Sequence, residues 1–132
     1  VMLNLIKNPV GFNQIVQLLS YEKEPFSLGV LLNDNPADGQ DVSWIWDGDF
    51  EGLHALNAVD TAISGIRVED LGVRMEVAGF ENIKVFKTNA ELIDWIRKAP
   101  TKKVNVLATY TALLDLRKDF AKEGYLKEGM NG

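Results

Sequence analysis

Carboxylates are concentrated in one segment of the chain, NDNPADGQDVSWIWDGDFEG, at residues 33–52. Two tryptophans lie within it, and a run of apolar residues precedes it. Carboxylates at this density can coordinate a metal ion, act as a catalytic group, or cap turns and helices in a solvated loop. The aspartates that these three alternatives concern are Asp34, Asp38, Asp41, Asp47 and Asp49.

The spacing of these carboxylates argues against a metal site. DNPADG resembles the start of a calcium-binding loop, with Asp34 and Asp38 at its first and fifth positions. Pro36 occupies the third position and Ile45 the twelfth, where calcium needs a side-chain oxygen and a bidentate glutamate. His54 is the only histidine and cysteine is absent, so the usual zinc ligands are missing as well. We therefore predict no metal site in this chain.

The motifs of several enzyme classes are also missing. Neither the phosphate loop G-x-x-x-x-G-K-[ST] nor the fingerprint G-x-G-x-x-G occurs, so the chain alone should not turn over a nucleoside triphosphate. No serine carries a nucleophile-elbow motif around His54, and a cysteine nucleophile is excluded by composition. A receiver-like signalling domain needs an aspartate at the end of its third strand, where residues 63–67 read ISGIR.

Local turn and helix chemistry accounts for four of the five aspartates. Asp34 and Asp38 are predicted to form turns, because Asx side chains bond their own turns and Asp-Gly is a common turn pair. Asp47 and Asp49 are predicted to start a helix as N-cap residues. Turn and helix-cap chemistry assigns no role to Asp41. Two interpretations of it therefore stay open: a solvated loop residue, or a contact with a partner beside the tryptophans.

Strand-like and helix-like segments alternate around this loop, which predicts an α/β fold with a mostly parallel sheet and helices on both faces. The predicted strands are 1–6, 26–34, 59–66, 82–87 and 102–111. The predicted helices are 12–22, 50–58, 67–80, 88–100 and 111–124. We expect one domain over 1–132, with a frayed polar tail at 125–132.

In such sheets, functional residues collect beyond the carboxyl ends of the strands. The aspartate segment leaves the 26–34 strand, and ATYTA (108–112) leaves the 102–111 strand, so both lie where a site is expected.

Composition excludes several partners. Hydrophobic residues make up 46% and charged residues 25% of the chain, as in ordinary globular domains. The net charge of -5 and the lack of a Lys/Arg stripe argue against nucleic acid. No apolar run reaches the roughly 18 residues that a membrane span requires, and no signal peptide is visible. With no cysteine, the sequence fits a cytoplasmic protein.

Four longer segments carry a family resemblance: NLIKNPVGFNQ (4–14), LLNDNPADGQDVSWIWDGDFE (31–51), SGIRVEDLGVRM (64–75) and VLATYTALLDLRK (106–118). Together they resemble the C-terminal domains of the MurT family of Mur-ligase-like subunits, over essentially the whole chain. The resemblance implies a three-layer, Rossmann-like Mur ligase C-terminal domain. It also implies that this chain is a fragment of a longer protein.

The function that the resemblance implies is amidation of lipid II in peptidoglycan synthesis. The complete subunit would bind ATP with Mg²⁺ and activate the α-carboxyl of D-glutamate as an acyl phosphate. Ammonia from a GatD glutaminase would convert that carboxyl to the amide of D-isoglutamine. This chain lacks the central ATP-binding domain with its phosphate loop and its zinc element. We therefore expect no cofactor in this domain and no activity from it alone.

The resemblance also assigns residues. GatD has a Cys and a His but no carboxylate to complete its triad, and this family supplies it from the aspartate of G-x-D-x-S-W, here Asp41. The candidates for the ATP and substrate cleft are Asn33, Asp34, Thr109, Tyr110 and Thr111. The alternative stays open that the chain is a non-catalytic α/β interaction module that holds a protein partner with its Trp44 and Trp46 loop.

Overall fold

Strands and helices alternate along residues 1–124, which are the residues that the computed structural model describes. The strands in this range are β1 (Met2–Leu5), β2 (Phe26–Leu31), β3 (Asp60–Ser64), β4 (Lys84–Val85) and β5 (Lys103–Ala108). The α-helices are α1 (Pro9–Leu19), α2 (Phe50–Ala55), α3 (Val68–Ala78), α4 (Asn89–Arg97) and α5 (Tyr110–Lys122). Two 3-10 helices, Pro36–Asp38 and Ser43–Trp46, lie between β2 and α2. The predicted frayed tail, 125–132, lies outside the described residues.

These strands form a single parallel sheet in the order β1-β5-β2-β3-β4. All six residues of the central strand β2 are buried, as expected for a continuous apolar run covered on both faces. Leu31 of β2 is in register with Ser64 of β3 and with Ala108 of β5. The carboxyl ends of these three strands therefore lie level at one edge of the sheet.

Helices cover both faces of the sheet, which confirms the predicted three-layer α/β architecture. Apolar residues of α1, α2 and α3 pack on one face, and those of α4 and α5 pack on the other. Phe12 of α1 and Phe50 of α2 are fully buried, with stacked rings 4.3 Å apart between centroids. None of the helices within residues 1–124 has the length and hydropathy that crossing a bilayer requires.

The chain leaves β2 and β5 toward opposite faces of the sheet. The segment after β2 leads to α2 on one face, whereas β5 leads directly into α5 on the other. Because β2 and β5 are neighbours, their carboxyl ends form a topological switch point, where open α/β sheets carry their ligand crevices.

The strands at this switch point are shorter than their apolar runs predict. The sequence predicts β2 to residue 34 and β5 to residue 111, but the strands end at Leu31 and Ala108. From Asn33 onward, the two loops are joined by hydrogen bonds to the side chains of Thr109 and Thr111. At the other end, α1 begins at Pro9 rather than at residue 12, because Asn8 caps it by accepting from the backbone N–H of Gly11 at 2.8 Å.

Candidate functional site at the carboxyl ends of the strands

Asn33 cross-links the loops that follow three neighbouring strands. Its backbone N–H donates to Thr109 Oγ1 at 2.9 Å, and its Nδ2 donates to Thr111 Oγ1 at 3.0 Å. Its Oδ1 accepts from the backbone N–H of Ile66 at 2.8 Å. Asn33 is 6% exposed and Thr109 1%. The sequence-predicted residues Asn33, Thr109 and Thr111 therefore come together, and they satisfy one another's polar groups.

Asp38 is a buried carboxylate that ties this loop to α5. Its Oδ1 accepts from the backbone N–H of Thr111 at 2.7 Å, and its Oδ2 accepts from the backbone N–H of Asn35 at 3.0 Å. The Thr111 hydroxyl also donates to Asp38 Oδ2. A carboxylate at the first turn of a helix satisfies open amides and interacts favourably with the helix dipole. The turn role predicted for Asp38 is therefore incomplete, because its main partner lies in a distant helix.

Asp34 and Tyr110 lie at the accessible rim of this cluster. Asp34 Oδ2 accepts from Arg67 Nη1 at 2.9 Å, and Arg67 Nε donates to Asp70 at 2.6 Å. The hydrogen bonds that Arg67 donates to Asp70 and then to Asp34 raise the pKa of Arg67. Tyr110 is 47% exposed. The predicted turn role of Asp34 is wrong, since its carboxylate bonds a guanidinium 33 residues away rather than its own turn.

A cleft of about 300 Å³ opens beside Asn33 at this edge of the sheet. Ser64, Lys87, Asn89 and Asp115 also line it, so it carries polar groups of both charges from a strand end and from the helix layer formed by α4 and α5. Within residues 1–124, His, Cys, Asp and Glu form no group of three or more that could hold a metal ion. The cleft therefore offers polar contacts to an organic ligand, and the binding of ATP or substrate there stays a prediction.

Asp41 lies just before the 3-10 helix Ser43–Trp46, and its side chain is exposed. Its Oδ1 accepts from the backbone N–H of Ser43 at 2.9 Å, which is an Asx-type bond at the helix start. Bonds from the backbone and then the side chain of Ser43 lower the pKa of Asp41. The interpretation that Asp41 has no local role is wrong, because it fixes this turn. Its carboxylate nevertheless stays ionised and accessible, with acceptor capacity left over.

The two tryptophans of this segment point in different directions. Trp44 is half-buried, with its ring centroid 6.1 Å from that of Phe12, and Ile45 is 1% exposed. Trp46 is 51% exposed, and the Arg74 guanidinium lies 5.2 Å from the centroid of its ring. The segment is thus anchored in the core and presents one accessible aromatic ring, of the type enriched at protein interfaces.

Arg74 of α3 holds the far end of the same segment. The residue is 3% exposed, and its Nε donates to the carbonyl of Ile45 at 2.7 Å while its Nη2 donates to the carbonyl of Gly48 at 2.9 Å. Glu51 accepts two further bonds from it, at 2.8 and 2.7 Å. The guanidinium lowers the pKa of Glu51 to about 2. Sequence reasoning missed Arg74, because no local pattern marks a buried guanidinium.

The two remaining aspartates, Asp47 and Asp49, cap different helices. Asp49 is the N-cap of α2 and accepts from the backbone N–H of Gly52 at 2.9 Å, as predicted. Asp47 ends the 3-10 helix Ser43–Trp46 as its C-cap residue. The prediction that Asp47 starts α2 is wrong, because the chain turns at Gly48 and only Asp49 directly precedes Phe50.

Similarity to known proteins covers most of the chain. The family model of the MurT ligase C-terminal domain matches residues 5–113. Over 129 residues the chain is 38% identical to the MurT subunit of the glutamine-hydrolyzing lipid II isoglutaminyl synthase of Streptococcus pneumoniae strain R6. That match covers 96% of this chain and 29% of the relative. The MurT subunit of Staphylococcus aureus strain COL is 34% identical over 99 residues, covering 71% of this chain and 23% of the relative.

Similarity to solved structures extends to proteins of low sequence identity. The folylpolyglutamate synthase of Mycobacterium tuberculosis, crystallised with ADP and AMPPCP, matches with a TM-score of 0.51 and 16% identity. The match covers 88% of this chain and 28% of that one. At this identity the likeness concerns the fold alone, and it agrees with a Mur-ligase-type C-terminal domain.

Proposed function

Because this chain belongs to the MurT ligase C-terminal family, we propose that it is the C-terminal domain of the ligase subunit of a lipid II isoglutaminyl synthase. The proposed reaction converts the α-carboxyl of D-glutamate in lipid II to the amide, at the expense of ATP and glutamine. The chain spans 29% of the length of its pneumococcal relative. Binding of ATP with Mg²⁺, and of zinc, is therefore assigned mainly to the rest of the subunit.

The partner that we propose is a GatD-like glutaminase whose Cys–His pair lacks a carboxylate. A third-member carboxylate holds the imidazole in one tautomer and stabilises its cation, which in turn keeps the cysteine as the reactive thiolate. Asp41 suits this task because it is exposed, ionised and held in one direction by Ser43 at 2.9 Å. That held, accessible carboxylate is the observation that carries the proposal.

The other aspartates of the segment are less suited to the role. Asp34 is paired with Arg67, Asp38 is buried against α5, and Asp49 caps α2. Asp47 is exposed, but it ends a 3-10 helix and no bond from a neighbouring amide fixes its carboxylate in the way that Ser43 fixes Asp41 within residues 1–124. A catalytic carboxylate needs a defined position, so Asp41 is the best candidate on geometry as well as on family resemblance.

At the strand ends, we assign this domain a share of the ATP and substrate cleft. Asn33, Thr109 and Thr111 use their polar atoms on one another, so their proposed task is to hold the loops in place. Asp34 and Tyr110 are accessible enough to reach a ligand. No nucleotide chemistry is assigned to these residues alone, since the phosphate loop is absent from the sequence.

The exposed ring of Trp46 favours a second candidate function, a protein-interaction module without a catalytic share. The two candidates differ in what Asp41→Asn does to the complete subunit bound to its glutaminase. Glutamine-driven amidation needs the glutaminase site, whereas amidation driven by free ammonia does not. Selective loss of the first activity supports the catalytic share, and loss of neither supports the module.

A further inference from the structure

We propose that Arg74 is a positioning residue for Asp41, and that it acts by fixing the 3-10 helix Ser43–Trp46 that separates them. The inference rests on the proposed function, because it assumes that the Asp41 carboxylate completes the site of the glutaminase. Arg74 lies in α3, a different element from Asp41, and is only 3% exposed.

The first step of the coupling is the contact between α3 and the segment. Arg74 binds the carbonyl of Ile45 at 2.7 Å and that of Gly48 at 2.9 Å, on either side of Trp46. Its guanidinium carbon also lies 5.2 Å from the centroid of the Trp46 ring and 4.9 Å from that of Phe50. One planar, buried group therefore sets the position of the backbone at two points and of the exposed ring between them.

The second step runs from these carbonyls to the carboxylate. Ile45 lies two residues after Ser43, whose N–H holds Asp41 Oδ1 at 2.9 Å. The 3-10 helix between them is closed by backbone bonds, including Ile45 N–H to the carbonyl of Val42 at 3.2 Å. Because of these bonds, a shift of the Ile45 carbonyl displaces the Ser43 amide. The displaced amide in turn changes the direction in which the Asp41 carboxylate points.

The chemistry of Arg74 fits positioning better than simple stabilisation. Burying a charge costs free energy unless it is paired, and well-packed apolar residues in place of a buried ion pair are often as stable. A fork of donors, however, can hold two carbonyls and the Glu51 carboxylate in one fixed geometry, which an apolar side chain or an ammonium cannot. The arrangement therefore specifies a loop conformation.

The test is Arg74→Lys in the complete subunit, assembled with its glutaminase. Lysine keeps the positive charge but lacks the planar guanidinium with its fixed set of hydrogen-bond donors. We expect glutamine-driven kcat to fall roughly 10- to 100-fold, the scale of a small misplacement of a reacting group, while ammonia-driven kcat stays within about twofold. The alkaline limb of the glutaminase pH profile should move to lower pH, since a displaced carboxylate stabilises the His cation less and the cation is then lost at a lower pH. Arg97→Lys, on the opposite helix layer, is the matched control and should leave both activities unchanged.

A second variant and a double mutant separate the outcomes. Glu51→Gln removes only the exposed partner of Arg74 and should give a smaller loss of the same selective kind. In an Asp41→Asn background, Arg74→Lys should add nothing, because both changes act on one carboxylate. Equal loss of both activities in Arg74→Lys and Glu51→Gln, or full additivity with Asp41→Asn, overturns the positioning role.

The same variants distinguish failure of this inference from failure of the proposed function. If Asp41→Asn keeps full glutamine-driven activity, the proposed function fails. If Asp41→Asn loses that activity while Arg74→Lys keeps it, only the role of Arg74 fails.

Discussion

Asp38 accepts a hydrogen bond from the backbone N–H of Thr111 at 2.7 Å, although the two residues are 73 positions apart. This bond closes the loop after β2 against the start of α5, at the switch point of the sheet. The loop that presents Asp41 therefore departs from a fixed base, because its first turn is tied to a helix on the other face of the sheet.

Removal of this carboxylate should destabilise the fold. In Asp38→Ala, the Thr111 amide loses its partner in a site that is only 5% exposed at Asp38. A buried amide without a partner, together with a lost helix cap, costs roughly 1–3 kcal/mol. Denaturant unfolding followed by tryptophan fluorescence measures the loss. The exposed Asp47→Ala should change the free energy of unfolding by less than about 0.5 kcal/mol, and an equal effect from both would contradict the capping role.

Acid should weaken the clamp between Arg74 and Glu51. The pKa of Glu51 is lowered from 4.5 to about 2, so its contribution to stability is present above about pH 4.5 and is lost as the pH falls toward 2. Because Glu51 is 57% exposed, solvent screening keeps this contribution small. The difference in unfolding free energy between the parent protein and Glu51→Gln, measured from pH 7 to pH 3, should shrink as the pH falls. A difference that is constant over this range would show that the ion pair contributes nothing.

Trp46 should contribute to binding of the glutaminase. Its ring is 51% exposed at the end of the 3-10 helix that follows Asp41, and truncation of an interface tryptophan commonly costs about 2 kcal/mol, or roughly 30-fold in Kd. Trp46→Ala should therefore weaken the complex in calorimetric titration while ammonia-driven amidation persists. Tyr21→Ala removes an aromatic ring that is 70% exposed on the loop after α1 and is the matched control. Equal affinity of the Trp46 and Tyr21 variants would place the partner elsewhere.

Substitution of Asp34 at the strand-end rim should impair ammonia-driven amidation and spare the glutaminase, which is the opposite of the result expected for Asp41. Asp34→Ala removes a carboxylate that holds Arg67 at the edge of the proposed ATP and substrate cleft. We expect the KM for ATP or lipid II to rise several-fold in ammonia-driven amidation, with glutaminase activity unchanged. Asp70→Ala removes the other carboxylate bound to Arg67 but lies within α3, so it is the control and should have the smaller effect. If the two variants behave alike, Asp34 acts only through the orientation of Arg67.

The sequence predicted the sheet and the helix layers because their signals are local. The apolar run at 26–34 predicted a strand buried on both faces, which the structure shows over Phe26–Leu31, and the Asp49 cap and Gly79, at φ 111, marked helix ends correctly. The bonds that shape the candidate site are not local. Arg74 reaches Ile45 across 29 residues and Asp38 reaches Thr111 across 73, so neither spacing nor turn chemistry could indicate them.

The proposed function requires that Asp41 lend its charge to the active site of a partner. Asp41→Asn tests it, because asparagine keeps an acceptor for the Ser43 amide at the position of Oδ1 but has no charge. Asp47→Asn is the matched control, since it removes one charge from the same exposed segment. Both variants are assayed in the complete two-subunit enzyme, with glutamine and with free ammonia.

We predict that Asp41→Asn lowers glutamine-driven amidation on the order of 10²- to 10⁴-fold, as expected when a triad loses its carboxylate, and leaves ammonia-driven amidation within about twofold. Asp47→Asn should retain both activities. Undiminished glutamine hydrolysis by the Asp41→Asn enzyme would contradict the proposed catalytic role of Asp41.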